Sequence, residues 1–171
     1  MVHYDNSEQL VATGQLAIGQ KKGLIRSTPL GSCIAFIAYD ITTKIGGMAH
    51  IMLPGKSPKG NNVDENKYAE NAIANLLNEL NALGAQKGNI EICLIGGANV
   101  LRKEDDIIAN NLIFSIFEIV EQRNLTVKET SLGGYERRTG KLCLHSGNVS
   151  FTVGNEKEIT LYNFITGERS N

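Results

Sequence analysis

A cysteine and a histidine occupy comparable positions in two neighbouring segments, and together they could carry out nucleophilic chemistry. Cys33 follows the polar, turn-forming approach STPLGS and precedes an apolar run, so solvent could reach its sulfur at the start of a strand. Backbone N–H groups at such a position can lower the pKa of a thiol. His50 follows a glycine pair inside the apolar segment GGMAHIMLP. It could take the proton of Cys33, or bond to the backbone as an ordinary core histidine.

The remaining cysteines and histidines are weaker candidates. Cys93 and Cys143 are flanked by leucine or isoleucine, which is typical of inert core packing. His145 follows Cys143 by two residues, so the two side chains would share one strand face about 6.5 Å apart. This pair is a rival site, although a half-buried strand histidine is the simpler interpretation. His3 lies in a terminal segment and needs no chemical role.

Signals for metal, nucleotide and serine-hydrolase sites are missing from the sequence. There is no CxxC or HxxxH pair, so we expect no metal site and no cofactor. The glycines at 96–97 match neither a Walker loop nor GxGxxG and predict a close-packed turn instead. No GxSxG element is present. The glycines at 133–134, followed by Arg137 and Arg138, predict either a site for an anionic or amide group or an ordinary solvated loop.

The composition predicts one globular domain spanning 1–171, in which 1–14 form a mobile N-terminal tail. The chain has 171 residues, 42% of them hydrophobic, with 17 basic and 18 acidic residues and a net charge of −1. Proteins that bind nucleic acids usually carry a basic surplus, so we expect no nucleic-acid partner. No apolar run reaches the roughly 20 residues that cross a bilayer, and the N-terminus lacks a signal-peptide pattern. We therefore expect no membrane insertion and a cytoplasmic location.

Short apolar runs between turn residues predict strands toward both ends of the chain. The pairs at 146–147 and 154–155 predict hairpin turns among the later strands. The predicted strand segments are GQLAIG, GLIRST, IAFIAYD, GGMAHIMLP, IEICLIGG, LTVKET, KLCLHS, NVSFTV and EITLYNF.

Two helices are predicted in the middle of the chain. Apolar residues recur at spacings of three and four over 68–83, with Asp64 or Asn66 as the N-cap and Gly84 after the end. A second helix over about 105–122 is apolar over a wider arc, so we expect it to be the more deeply buried one. Helices and strands do not alternate throughout, as a doubly wound sheet requires. The predicted fold class is α+β, a layered sandwich of mixed β-sheets with the two main helices packed on the outside (α/β/β-like).

Several segments taken together resemble one protein family. LGSCIAFIAYD, GGMAHIMLPG, NKYAENAI, IGGANVL and a later LGG occur in the order and at the spacing of the chemoreceptor glutamine deamidases, the CheD family of bacterial chemotaxis. The resemblance covers roughly Gln15 to Val153. Its most specific elements are Gly-Ser-Cys and Gly-x-x-His-x-x-Leu-Pro, which contain Cys33 and His50.

The resemblance implies a reaction on protein side chains. In the family, a cysteine attacks the amide of selected glutamines on methyl-accepting chemoreceptors, ammonia leaves, and water releases glutamate from a thioester. The resemblance implies that Cys33 is the nucleophile and His50 the general base. It also implies that Ser27, six positions before the cysteine, is the third catalytic residue, with Thr28 beside it as the alternative.

The same resemblance predicts how the substrate is held. We expect Gly31, Ser32 and Thr28 to face it, because a turn at Gly31 and Ser32 would direct backbone N–H groups toward the oxyanion. Three positions depart from the family pattern: Ser27 stands where threonine is familiar, Pro29 where a glycine is familiar, and Tyr135 where asparagine is expected.

The resemblance further implies two protein partners, the receptors as substrates and a CheC-type phosphatase. Two other functions fit the same residues. The chain could be a weakly active regulatory module that binds the phosphatase or the receptors, or a papain-like amidase or peptidase for small substrates.

Overall fold

The computed structural model describes residues 7–60 and 63–170, which fold into two five-stranded sheets and two α-helices. The sheets pack face to face, and both helices cover the outer face of one sheet. The helices are α1, Ala69–Leu83, and α2, Ile107–Gln122. The strands are β1 Glu8–Val11, β2 Leu16–Gln20, β3 Leu24–Ser27, β4 Ile34–Asp40, β5 Ile45–Ile51, β6 Ile90–Gly96, β7 Thr126–Leu132, β8 Arg138–Cys143, β9 Asn148–Val153 and β10 Ile159–Asn163.

Each sheet mixes parallel and antiparallel pairs. The first sheet has the order β1-β3-β8-β9-β10, and its β1–β3 pair is parallel. The second has the order β2-β5-β4-β6-β7, and its β6–β7 pair is parallel. Hairpins join β8 to β9 and β9 to β10, with turns at the predicted pairs 146–147 and 154–155. The predicted α+β class with mixed β-sheets is confirmed.

Two apolar layers hold the elements together, and β4 contributes to both. Successive side chains of a strand point to opposite faces, and every residue of β4 is buried. Phe36 packs between the second sheet and the helices, together with Leu76 of α1 and Leu112 of α2. Ile37 packs between the two sheets, together with Leu142 of β8. The layers therefore run helices, second sheet, first sheet, which confirms the predicted α/β/β-like sandwich.

Helix α1 ends where the sequence predicts but begins later than its predicted caps. Its N-cap is Tyr68, which pairs with Leu53 in an isolated bridge just before the helix starts. The prediction of Asp64 or Asn66 as the cap is wrong. Asp64 is the N-cap of a separate 3-10 turn, Glu65–Lys67, which contains Asn66 and precedes the bridge. Gly84 follows the last helical residue at φ +121°, a conformation that glycine adopts readily.

Helix α2 begins at Ile107, and the carboxylate of Asp106 caps it by accepting a hydrogen bond from the N–H of Ala109. Helix α2 buries six residues and α1 buries five, so the expected difference in depth is small. Only one side of α2 packs on the sheet, and its outer face is also apolar, with Phe114 67% and Phe117 40% exposed. Within the described residues, no helix has both the length and the apolar character needed to cross a membrane.

The segment 8–14 belongs to the fold rather than to the predicted tail. Strand β1 lies at the edge of the first sheet, parallel to β3. Its first three residues are exposed and only Val11 is buried, so its sequence carries too weak an alternation to predict a strand. The segment 1–6, which includes His3, lies outside the described residues.

Candidate active site

The backbone around Cys33 is held in place by hydrogen bonds from the loop that follows β6. The carbonyl of Gly31 accepts a bond from the N–H of Ala98 at 2.8 Å. The carbonyl of Cys33 accepts a bond from the N–H of Gly97 at 2.9 Å. Because β4 begins at the next residue, the main chain is fixed on both sides of the sulfur-bearing position.

Gly96 and Arg138 complete this support. Gly96 has φ +123°, and a Cβ at this position would lie 2.2 Å from the carbonyl oxygen of Cys33, so only glycine allows the close approach. The Arg138 guanidinium donates to the carbonyl of Gly133 at 2.7 Å, and its backbone bridges Leu30. Burial lowers the pKa of Arg138. The guanidinium thus holds the loops around the site together, and 96–97 forms the predicted close-packed turn.

A cleft of about 400 Å³ opens at Cys33, whose side chain is partly exposed. Gly31 and Ser32 line the cleft, as do Asn99 and Arg137. In the described part of the chain, the N–H groups of Ser32 and Cys33 donate to no protein acceptor. They are therefore available to a group that enters the cleft.

His50 lies on the same face of the second sheet as Cys33. It pairs with Ala35 across the β4–β5 ladder, and Cys33 precedes Ala35 by two residues. Side chains in such a diagonal relation start about 7–8 Å apart, less between their Cβ atoms. His50 is only 1% exposed. Within the described residues, no direct hydrogen bond joins the Cys33 sulfur to the imidazole.

Three groups surround the imidazole of His50. Its Nδ1 lies 3.1 Å from the carbonyl oxygen of Val11 and 3.3 Å from the hydroxyl of Thr28. Its Nε2 lies 3.4 Å from the hydroxyl of Thr13. Because a carbonyl oxygen can only accept, the contact with Val11 assigns the ring proton to Nδ1. The lone pair of the neutral ring is therefore on Nε2, facing Thr13.

Burial favours the neutral forms of both candidate catalytic groups. It lowers the pKa of His50, and the hydrogen bond to the Val11 carbonyl opposes this effect only in part. Burial also raises the pKa of the Cys33 thiol. Its hydrogen-bond partner, the Thr13 hydroxyl, opposes this rise only in part. At neutral pH both shifts favour a thiol and a neutral imidazole, which can accept a proton.

The two predicted hydroxyl residues have different surroundings. Ser27 is 1% exposed, and its Oγ accepts a hydrogen bond from the N–H of Gly140 at 2.9 Å. In the described residues it makes no hydrogen bond to His50, so its catalytic role stays a prediction. Thr28, which follows the end of β3, is the one whose hydroxyl faces the imidazole.

Sequence reasoning missed Thr13 and Val11, because both fall in the segment predicted as a tail. The Thr-Gly pair at 13–14 indicates only a turn, and nothing in its composition points to a histidine 37 residues away. The backbone of His50 holds this turn in place. Its carbonyl accepts from the N–H of Gly14 at 2.9 Å, and its N–H donates to the carbonyl of Gln15 at 3.2 Å.

The rival groups are placed differently. Cys93 is fully buried, and burial raises its pKa to about 12. Cys143 ends β8, and His145 lies in the following turn with an exposed side chain, so the two do not share a strand face. The described residues contain no cluster of three or more His, Cys, Asp or Glu side chains that could hold a metal ion.

Comparison with known proteins identifies the family. The family model described as CheD chemotactic sensory transduction matches residues 52–153. The chain belongs to the CheD family. A Chlorobium luteolum relative is 40% identical over 154 residues, which cover 90% of this chain and 77% of the relative. A Methanococcus vannielii relative is 38% identical over 149 residues, covering 85% and 95%. Both bear the name "Probable chemoreceptor glutamine deamidase CheD".

These CheD comparisons confirm the family that the motifs indicated. The matched region of the CheD model begins two residues after His50, so it contains neither His50 nor Cys33. The match therefore rests on the helices and later strands, whereas the two candidate catalytic residues are identified here by motif and geometry. The alignments with the CheD relatives above extend over a larger share of the chain.

Replacing Gly96 by alanine is expected to displace the Cys33 loop. The strained φ alone costs about 1–3 kcal/mol, and the overlap with the Cys33 carbonyl adds to that cost. Urea unfolding should show the loss of stability, and iodoacetamide should alkylate Cys33 at a changed rate. Gly154→Ala is the matched control, because Gly154 has φ +54° with open space around it. Equal stability losses with unchanged alkylation in both variants would contradict this role of Gly96.

Proposed function

We propose that this CheD chain is a cysteine-dependent protein-glutamine glutaminase, an amide hydrolase that converts glutamine side chains of methyl-accepting chemoreceptors to glutamate. The observation that carries the proposal is a partly exposed Cys33 at an open cleft, with a buried His50 on the same sheet face. The names of the relatives support the same activity and the same class of substrate.

The first half-reaction breaks the amide. Cys33 loses its proton toward His50, its sulfur attacks Cδ of the glutamine, and a C–S bond forms as the carbonyl electrons move to oxygen. The tetrahedral intermediate then collapses, and the C–N bond breaks. The leaving nitrogen takes the proton from the imidazolium, so that ammonia departs and a thioester remains.

The second half-reaction hydrolyses the thioester. Water enters the cleft, and the neutral imidazole of His50 takes one of its protons as the oxygen attacks the thioester carbonyl. The C–S bond breaks, the sulfur regains a proton from the imidazolium, and the side chain leaves as a carboxylic acid that ionises to glutamate. The enzyme returns to its starting protonation state.

The free backbone N–H groups of Ser32 and Cys33 form the oxyanion hole. Both lie in the fixed loop and have no acceptor within the described residues, so they need no rearrangement when negative charge develops on the substrate oxygen. One such donor typically contributes about 3 kcal/mol to transition-state stabilisation. Gly31, the first residue of this turn, contributes its carbonyl to the loop support.

Thr28 is the orienting hydroxyl of the site. Its oxygen and the Val11 carbonyl both lie on the Nδ1 side of the imidazole, at 3.3 and 3.1 Å. Both oxygens accept a hydrogen bond from Nδ1–H, in the neutral ring and in the imidazolium alike, so the ring keeps one orientation through both half-reactions. Ser27 supports the β3–β8 pairing through its bond to Gly140.

The cleft admits a side chain, and surface contacts must select the protein that carries it. Glutamine and asparagine differ by one methylene, which pocket contacts discriminate by only about 1–3 kcal/mol. Leu101 and Ile108 line the cleft and are 76% and 55% exposed. Arg102, which follows Leu101, places its guanidinium over the ring of Tyr135. This apolar rim gives a protein substrate a surface on which to dock.

The wider setting follows from the resemblance. We place the reaction in the cytoplasm, where thiols stay reduced. A CheC-type phosphatase is the second predicted partner. The expectation of no nucleic-acid partner and no membrane insertion stays a prediction from the composition.

Cys33→Ala is expected to abolish ammonia release from a chemoreceptor cytoplasmic fragment, because the variant has no nucleophile. Mass spectrometry of receptor peptides should show the loss of the roughly 1 Da gain per glutamine that amide hydrolysis produces. Cys143→Ala is the matched control and should keep the wild-type rate. Unchanged release by Cys33→Ala would disprove the assignment. Receptor or phosphatase binding without any release by the wild-type chain would favour the regulatory module.

Thr28→Val and Ser27→Ala should separate the two hydroxyl residues. Thr28→Val removes a hydrogen-bond acceptor for Nδ1–H. It is expected to lower kcat about tenfold, a fraction of what a general base contributes, with little change in the free energy of unfolding. Ser27→Ala leaves the buried N–H of Gly140 without a partner and should cost about 1–3 kcal/mol of unfolding free energy while kcat is kept. Ammonia release and urea unfolding measure both effects, and the reverse pattern would assign the role to Ser27.

The pH profile should have its acid limb below pH 6.5. His50 must be neutral to accept a proton, and burial lowers its pKa from the ordinary 6.5. As pH rises through this lowered pKa, kcat/KM should rise and then level off before neutral pH. Ammonia release across the acid and neutral range measures it, with a return to neutral pH as the control for unfolding. An acid limb centred above pH 7 would contradict a neutral His50 base.

A further inference from the structure

The Cys33 sulfur and the His50 imidazole make no direct hydrogen bond within the described residues. Cys33 and His50 are diagonal neighbours on one face of the β4–β5 ladder, a relation in which the residues start about 7–8 Å apart. A proton that leaves the sulfur for the imidazole therefore needs a carrier or a movement of the ring.

The hydroxyl of Thr13 lies beside the imidazole. It lies 3.4 Å from Nε2 of His50, the nitrogen that faces away from Val11 and Thr28. The same hydroxyl is the hydrogen-bond partner that lowers the pKa of the Cys33 thiol. A hydroxyl can accept one hydrogen bond and donate another at the same time, which suits it to this position.

The turn that carries Thr13 is fixed to the main chain of His50. The N–H of Gly14 donates to the His50 carbonyl, and the His50 N–H donates to the carbonyl of Gln15, so both backbone groups of the histidine hold the turn. Gly14 has φ +78°, and a Cβ there would lie 2.6 Å from the carboxylate of Asp64. These main-chain bonds hold Thr13 beside the imidazole, so a substitution of its side chain should leave the turn in place.

We propose that Thr13 is a catalytic residue that relays the proton from Cys33 to His50. The thiol S–H donates to the Thr13 oxygen, and the Thr13 O–H donates to the lone pair on Nε2. In the transfer, the hydroxyl gives its proton to Nε2 and takes the proton of the thiol. The products are a thiolate that accepts a hydrogen bond from the Thr13 hydroxyl and an imidazolium whose Nε2–H points at the Thr13 oxygen.

The hydrogen bond on the Nδ1 side of the ring determines which nitrogen accepts the relayed proton. The Val11 carbonyl holds the ring proton on Nδ1, so Nε2 is the acceptor before the transfer. After it, Nδ1–H still bonds to Val11, and the imidazolium carries its new proton on the side of the sulfur. That proton is then available for the leaving nitrogen.

The test compares Thr13→Val with Thr13→Ser. Valine keeps the shape and removes the hydroxyl, whereas serine keeps the hydroxyl and removes a methyl group. Because the inference rests on the proposed function, ammonia release from a chemoreceptor fragment is paired with alkylation of Cys33 by iodoacetamide, which needs no receptor. Mass spectrometry separates Cys33 from the other cysteines, and urea unfolding confirms that each variant is folded.

We expect Thr13→Val to lower kcat by about tenfold or more, within the range of general-base contributions, with KM nearly unchanged. Its Cys33 alkylation should be slower at neutral pH, with a midpoint at higher pH than in the wild type. Thr13→Ser should restore both properties to within a few-fold. In a double-mutant cycle with His50→Gln, the loss of Thr13 should add little, because both residues serve one transfer.

Wild-type kinetics and alkylation in Thr13→Val would overturn the relay, and so would a Thr13→Ser variant as impaired as Thr13→Val. Additive effects in the cycle with His50→Gln would also overturn it, because they would make Thr13 act independently of the base. If the wild-type chain releases no ammonia, the proposed function fails while the alkylation cycle still decides whether Thr13 couples Cys33 to His50.

Discussion

The register of the β5-β4-β6 ladder is the constraint on which the site depends. Ala35 pairs with His50 on one side and with Ile95 on the other, and this places Cys33 on the same face as the imidazole. A slip of one residue would turn His50 into the apolar layer under the helices. Complete burial of β4 and β5 prevents the slip. Gly47 adds to this, because a Cβ at this position would lie 2.7 Å from a β2 carbonyl.

The partners of the imidazole determine what kind of base it is. The described residues surround His50 with two hydroxyls and one carbonyl, and its pKa is lowered by burial rather than raised by a carboxylate. A carboxylate would stabilise the imidazolium and favour a preformed ion pair with the thiolate. With neutral partners only and a pKa raised by burial, the Cys33 sulfur favours the thiol form. This protects a cysteine that faces an open cleft, because the thiolate is the form that oxidants attack.

Residue type and local pattern predicted the strands β2–β10 and marked Cys33 and His50 as candidates, because each of these depends on features within a short window. The roles of the two candidates come from the family resemblance. The rest depends on contacts between distant segments. Strand β1 is an exposed edge whose pattern is too weak to detect, and Thr13 reaches the site only after that edge has formed. The exposed apolar face of α2 was not predicted, since an apolar arc does not specify what covers it. Whether Ser27 or Thr28 faces the imidazole depends on where β3 ends, which a sequence predicts only to within a few residues.

The arrangement of layers separates the base from the substrate. The sulfur lines the cleft, whereas the imidazole lies behind it, 1% exposed and beneath the turn that carries Thr13. A substrate amide entering from outside therefore meets the sulfur and the N–H groups of Ser32 and Cys33 before it can reach the ring. Ammonia must leave by the route through which water later enters, so the docked protein cannot seal the cleft completely. A surface that docks receptors around an apolar rim while leaving this passage open meets both requirements.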